Sequence, residues 1–205
     1  MLEHIHNTLQ GVVLYTWPVV IISVVILTST RITYLIKTKE KFVLYKELLM
    51  LGFVVYILCL FQIVTFQDDV VSWSSNNFIP FKEIMRYNIT SRLFLKNVLG
   101  NMIMFLPFGF FISYYLRANR VNLPILLTVV ASIAIEIVQM SIGRVFDVDD
   151  ILLNLIGGIF GYLIYKFLSQ IGNKYPKFFH NEIVLDIFVF LGCAIILGGL
   201  FIMLV

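Results

Sequence analysis

Six stretches of this chain are so apolar, each for about twenty residues, that water cannot be the solvent around them. They run from Gly11 to Thr30, Val43 to Phe66, Asn97 to Leu116, Asn122 to Ile142, Asp149 to Leu168 and Ile183 to Val205. A helix rises about 1.5 Å per residue, so each stretch is long enough to cross a hydrocarbon layer of roughly 30 Å. The chain as a whole agrees: 60% of its 205 residues are hydrophobic, 13% are charged, and the mean hydropathy is +0.95. A soluble domain could not tolerate that surface. The expected fold is all-α, a polytopic membrane bundle of about six transmembrane helices with no room for an appended soluble domain.

Three segments follow from this spacing. Residues 1–66 form an N-terminal two-helix membrane segment, residues 67–168 a core with a long loop and three transmembrane helices, and residues 169–205 a loop and a C-terminal transmembrane helix. The first apolar run lacks a basic leader and a small-residue cleavage site, so it reads as a retained helix.

Charge sets the expected orientation. Of 15 Lys and Arg residues, ten fall in alternate connections: Arg31, Lys37, Lys39, Lys41 and Lys46, then Arg117 and Arg120, then Lys166, Lys174 and Lys177. Lys82, Arg86, Arg92, Lys96 and Arg144 occupy the opposite set. The positive-inside rule then puts both termini outside. A net charge of +3 spread in this way marks topology and gives no sign of a nucleic-acid partner. Membrane lipid is the partner that composition requires.

Cys59 and Cys193 stand alone in apolar runs and read as small buried hydrophobes. His4, His6 and His180 read as tail or loop residues, so no metal site and no cofactor is expected.

The connection from Gln67 to Lys96 starts polar and then becomes patterned. From Pro80 onward, Phe81, Ile84, Met85 and Ile89 fall at helical spacing while Lys82, Glu83 and Arg86 take the other face, which predicts an interfacial helix. Trp73, Phe78 and Phe81 are its expected anchors at headgroup depth. Asn88-Ile89-Thr90 matches a glycosylation sequon, a three-residue pattern that usually arises by chance.

Polar residues inside the runs are the candidate site. Glu136 lies near the middle of the fourth, where an ionised carboxylate costs at least ~2.5 kcal/mol against lipid, so it must face protein or water or carry a proton. Gln139 shares its face one turn on. Arg144 follows just beyond the span, placed to reach back to Glu136 or forward to Asp147, Asp149 or Asp150.

Helix capping explains one or two of those three aspartates, and a third exceeds what a cap needs. Asp150, Asn154, Gly157 and Gly161 form one stripe, the glycines as a close-approach surface and Asn154 in need of a partner. On the third run Asn97 and Asn101 share a face, and Pro107 should bend or open the helix. Its asparagines either glue helices together or line a cavity.

Three of these stretches carry a resemblance. Asn97-Val-Leu-Gly-Asn101-Met-Ile-Met-Phe105-Leu-Pro107-Phe-Gly109 is the first. Glu136-Ile-Val-Gln139 with Gly143-Arg144-Val-Phe-Asp147-Val-Asp149-Asp150 and Asn154-x-x-Gly157-Gly158-x-x-Gly161 is the second, and Asn77-Phe-Ile-Pro80-Phe81 is a shorter third. Together, over roughly Gln67 to Phe167, they resemble the VanZ-like family of bacterial membrane proteins, named for a protein that contributes to teicoplanin resistance. The first and sixth spans lie outside it.

The resemblance implies a multi-pass protein of the bacterial plasma membrane that lowers susceptibility to teicoplanin-type lipoglycopeptides. It points to a lipoglycopeptide or a lipid-linked envelope precursor as partner. Asn97, Asn101, Glu136, Gln139, Arg144, Asp147, Asp149, Asp150 and Asn154 are the expected ligand-binding residues of an outward-facing polar pocket. Two other readings stand beside that one. One is an intramembrane enzyme on a lipid-linked envelope substrate, with Glu136 or an aspartate as general base and Arg144 on a phosphate. The other is a scaffold in which the same residues join helices. No nucleophile and base can be paired from the sequence, which leaves catalysis and oligomeric state open.

Overall fold

The computed structural model of the chain describes residues 2–66, 76–86, 91, 94–176 and 181–192. Its elements are helical: α1 (Leu2–Thr38), α2 (Leu44–Phe66), a single 3-10 turn (Ile84–Arg86), a π turn (Leu95–Leu99) running into α3 (Gly100–Tyr115), α4 (Asn122–Ser141), α5 (Val148–Lys174) and α6 over residues 182–192. One isolated parallel β-bridge, between Asn77 and Asp147, is added to them. Among the described residues five helices are long and apolar enough to cross a membrane. The sixth expected span begins as α6, and its remainder lies outside the described residues, as do Trp73, His180, Cys193 and the 88–90 sequon.

Two compact units share the chain, Met1–Gln67 with Gly172–Val205, and Asp68–Ile171. In the first, α1 continues eight residues past its expected end at Thr30. Arg31 does not stop it because α2 supplies the counter-charge: its guanidinium donates to Glu47 from Nε (2.9 Å to Oε2) and Nη2 (2.9 Å to Oε1). That bidentate geometry makes an Arg tolerable on a membrane helix. Helix α1 ends where Lys39 takes a left-handed conformation, φ 55°. Helix α6 is tied in by Lys41 to Glu182 and by the Tyr45 N–H to Asp186 Oδ1 (2.8 Å).

The second unit is packed the way lipid demands. Large apolar side chains such as Ile103, Leu126, Val130, Ile137, Phe160 and Phe167 point out, while Ser113, Thr128, Ser132, Glu136 and Asn154 are buried. Lipid tails give helices no hydrophobic reason to associate, so small-residue contact and internal hydrogen bonds must do it. Gly109 on α3 faces Gly158 on α5, Gly157 faces the main chain of Met102, and Gly161 that of Leu106 and Phe110. A Cβ at Gly109, Gly157 or Gly161 would overlap backbone. The expected close-approach stripe is therefore where the sequence placed it.

Pro107 does not open the helix. Helix α3 runs unbroken through it, and the irregular backbone lies earlier, in the π turn that carries Asn97. The interfacial helix expected from Pro80 is also corrected. The described part is a turn followed by the 3-10 turn, with Phe81 left-handed at φ 67°. The cause is a carboxylate from α5, described next.

Candidate functional site

Helix α5 starts at Val148, and its preceding residue Asp147 caps it: Oδ1 accepts from the Asp149 N–H at 2.9 Å, satisfying a first-turn donor. Asp147 Oδ1 also accepts from Asn77 Nδ2 (2.8 Å), and the bridge adds Asn77 N–H to Phe146 O (2.8 Å) and Val148 N–H to Asn77 O (3.1 Å). Burial pushes the Asp147 carboxyl above the usual carboxylate range, against the opposing hydrogen bonds from Asp149 and Asn77.

Asp149 turns away from its own helix. At 1% exposure it accepts from three backbone N–H groups of the loop, Phe81 (2.5 Å), Glu83 (2.8 Å) and Ile84 (3.2 Å). Converging the donors of Phe81, Glu83 and Ile84 on one anion requires the chain to curl, which is why Phe81 sits at positive φ and no regular helix forms there. Charge-assisted bonds offset a backbone strain of about 1–3 kcal/mol.

Asp150 points elsewhere again. Its Oδ1 accepts from Asn101 Nδ2 on α3 at 2.5 Å, and it is only half-buried. The three neighbouring carboxylates thus have three tasks: cap, loop anchor and helix link.

Glu136, 1% exposed on α4, receives the Asp147 N–H at Oε2 (2.9 Å). In the amide orientation that satisfies both neighbours, Gln139 donates to Glu136 Oε1 (3.0 Å) and accepts from Arg144 Nη1 (3.2 Å). Arg144 therefore reaches back towards Glu136 through Gln139. One turn deeper, Asn154 Nδ2 donates to Ser132 Oγ at 2.8 Å, joining α5 to α4. Asn154 Oδ1 has no hydrogen-bond partner among the described residues, although the side chain is only 4% exposed.

The structure thus gathers Asn101, Glu136, Gln139, Arg144, Asp147, Asp149, Asp150 and Asn154 at one end of α3, α4 and α5, with Asn97 half-buried in the π turn above Asn101. Sequence reasoning missed two participants. In the sequence Asn77 stands out only as part of a short motif, yet both its main chain and its side chain dock on 146–148. Ser132, one helical turn before Glu136, could have been found as a further polar residue on that face. No three of the described His, Cys, Asp and Glu side chains converge as metal ligands.

A sequence model of the VanZ/LLP1 family matches residues 53–169, more than half of the chain. The chain belongs to the VanZ/LLP1 family. The matched region contains Asn77, the contacting glycines of α3 and α5 and the whole acidic cluster. With five membrane-competent helices among the described residues, this VanZ/LLP1 chain is a multi-pass membrane protein. No curated protein and no solved structure matches it.

Proposed function

We propose that this VanZ/LLP1 protein resides in a bacterial plasma membrane and lowers susceptibility to teicoplanin-type lipoglycopeptides, its acidic end facing outward and engaging the amphiphile or an envelope component. The observation that carries the reading is Asp150. Glu136 and Asp149 use both oxygens to hold backbone or a neighbouring amide and Asp147 uses one for two bonds, to its own helix and to Asn77, whereas Asp150 is half-buried with one hydrogen bond among the described residues, to Asn101. Near it stands the Arg144 guanidinium, so a carboxyl and a cationic group are offered at one helix end. Lipoglycopeptides carry polar heads on a lipid tail, and a polar site at a membrane surface suits that amphiphilicity.

Expression in a susceptible Gram-positive host should raise the inhibitory concentration of teicoplanin more than that of vancomycin, which lacks the tail. Asp150→Asn and Arg144→Gln should each reduce the effect at unchanged membrane abundance. Glu136→Gln is the less informative variant, because it disturbs the bonds to Asp147 and Gln139 and so lowers abundance itself. No protection by well-expressed wild type rejects the function, and full protection by both folded variants rejects the site. Turnover of a lipid-linked precursor by the purified protein would favour the enzymatic alternative.

A further inference from the structure

The loop before α3 combines two properties that water would not require together. Its large side chains point away from the protein: Phe78 is 67% exposed and Met85 82%, with Ile79 and Phe81 also exposed. Its backbone donors, in contrast, are all used. From Ile79 to Arg86 every N–H has an internal acceptor: Ile79 donates to Asn77 Oδ1, Phe81, Glu83 and Ile84 to Asp149, Lys82 to Ile79 O, Met85 to Phe81 O and Arg86 to Glu83 O. Pro80 has no N–H to place. A loop in water leaves such groups to solvent, whereas one in contact with lipid must satisfy them from within.

We propose that residues 78–86 form a rigid wedge seated in the phospholipid leaflet at headgroup depth, with Phe78, Ile79, Phe81 and Met85 against acyl chains and Lys82 beside lipid phosphate. Its position fits that depth, because Asn77 and Asp149 tie it to the residues where α5 begins and the Phe78 ring stacks on Phe146 at 5.3 Å. Near that end Leu95 in the π turn, Ile137 and Met140 on α4 and Ile142 just beyond it are exposed and apolar as well. Lys82 and Arg86, the latter paired with Glu83 at 3.2 Å, give the rim a cationic character that complements phosphate. Asp149 is the positioning residue: it touches no lipid and holds the wedge by its main chain.

The test places a reporter in the full chain with Trp17 and Trp73 replaced by Phe, adding Met85→Trp or, separately, Ile79→Trp. Both sites are exposed, so an indole displaces nothing inside the protein. In vesicles of phosphatidylcholine and phosphatidylglycerol, each tryptophan should be quenched by brominated lipid, more strongly by bromines near the glycerol than near the chain terminus, as for a depth of roughly 5–10 Å into the leaflet. Asp149→Asn should weaken that depth preference at both positions. Efficient quenching by aqueous acrylamide without quenching by brominated lipid would place the loop in water and overturn the proposal. Protection from both quenchers would show protein covering it, which overturns the proposal equally. Neither outcome bears on teicoplanin protection.

Discussion

Asp147, Asp149 and Asp150 are almost consecutive, and their separate roles can be tested one at a time. Asp149→Asn replaces an anion that takes three N–H bonds with an amide that can accept at one atom only. The expected cost is roughly 2–4 kcal/mol, since bonds to a charged acceptor are the stronger kind. It should be read as a lower unfolding midpoint in detergent together with faster proteolysis between residues 76 and 86. Asp147→Asn behaves differently, because an amide oxygen can still accept from Asn77 and cap α5. The folded protein holds the Asp147 proton more tightly than the unfolded chain, mainly through burial. Its contribution is therefore complete below the ordinary value of 3.8 and is lost as pH rises through the higher folded one. Wild type should lose stability relative to Asp147→Asn over that window, a difference that denaturation at a series of pH values would reveal. Sequence spacing identified these carboxylates as more than caps but could not separate them. Their partners lie 65 to 68 residues away for Asp149 and 49 for Asp150, beyond any local pattern.

At the scale of elements, the spans were legible because lipid acts as a simple solvent that selects for length and apolarity. The predicted bounds of α2 and α4 agree with the observed ones to within a residue. The errors have a shared origin in pairing that composition does not display. Arg31 looked like a loop residue until Glu47 faced it, and the interfacial helix after Pro80 gave way to a curl around Asp149. Glycine spacing fared better, since a small-xxx-small stripe has one dominant use in a membrane helix. Gly157→Ala would drive a methyl into the Met102 main chain, where no side-chain rotation can relieve it. Overpacking of this sort costs about 1–3 kcal/mol. Gly52→Ala on α2 meets nothing within 4 Å and should be neutral or stabilising through helix propensity. Thermal unfolding of the two variants in one detergent should separate them clearly.

For the whole molecule, the two ends of the second unit differ in their acidic residues, and orientation can be tested there without reference to either terminus. The end that carries Glu136, Asp147, Asp149 and Asp150 lies a full helix length from the connection 116–121, where Arg117 and Arg120 stand and Lys166 Nζ donates to Asn119 O at 3.4 Å. No Asp or Glu occurs between Leu116 and Val121. Lys and Arg near the ends of short connections favour the cytoplasmic side while acidic residues contribute little, and over the whole chain ten of the 15 fall in the connections on the 116–121 side against five on the other, so the 116–121 end should face inward. Asn119→Cys and Asn76→Cys, both at exposed positions, convert this into a measurement. In intact cells a membrane-impermeant thiol reagent should label the cysteine at 76 and reach the one at 119 only after lysis. With six spans the same orientation puts both termini outside, so a reporter active only in the cytoplasm should be silent when fused at either end. Labelling of position 119 in intact cells, with position 76 protected, would invert the protein and turn the acidic end towards the cytoplasm. An externally acting lipoglycopeptide could then not be met at Asp150, and the proposed site would lose its ligand class along with its side of the membrane.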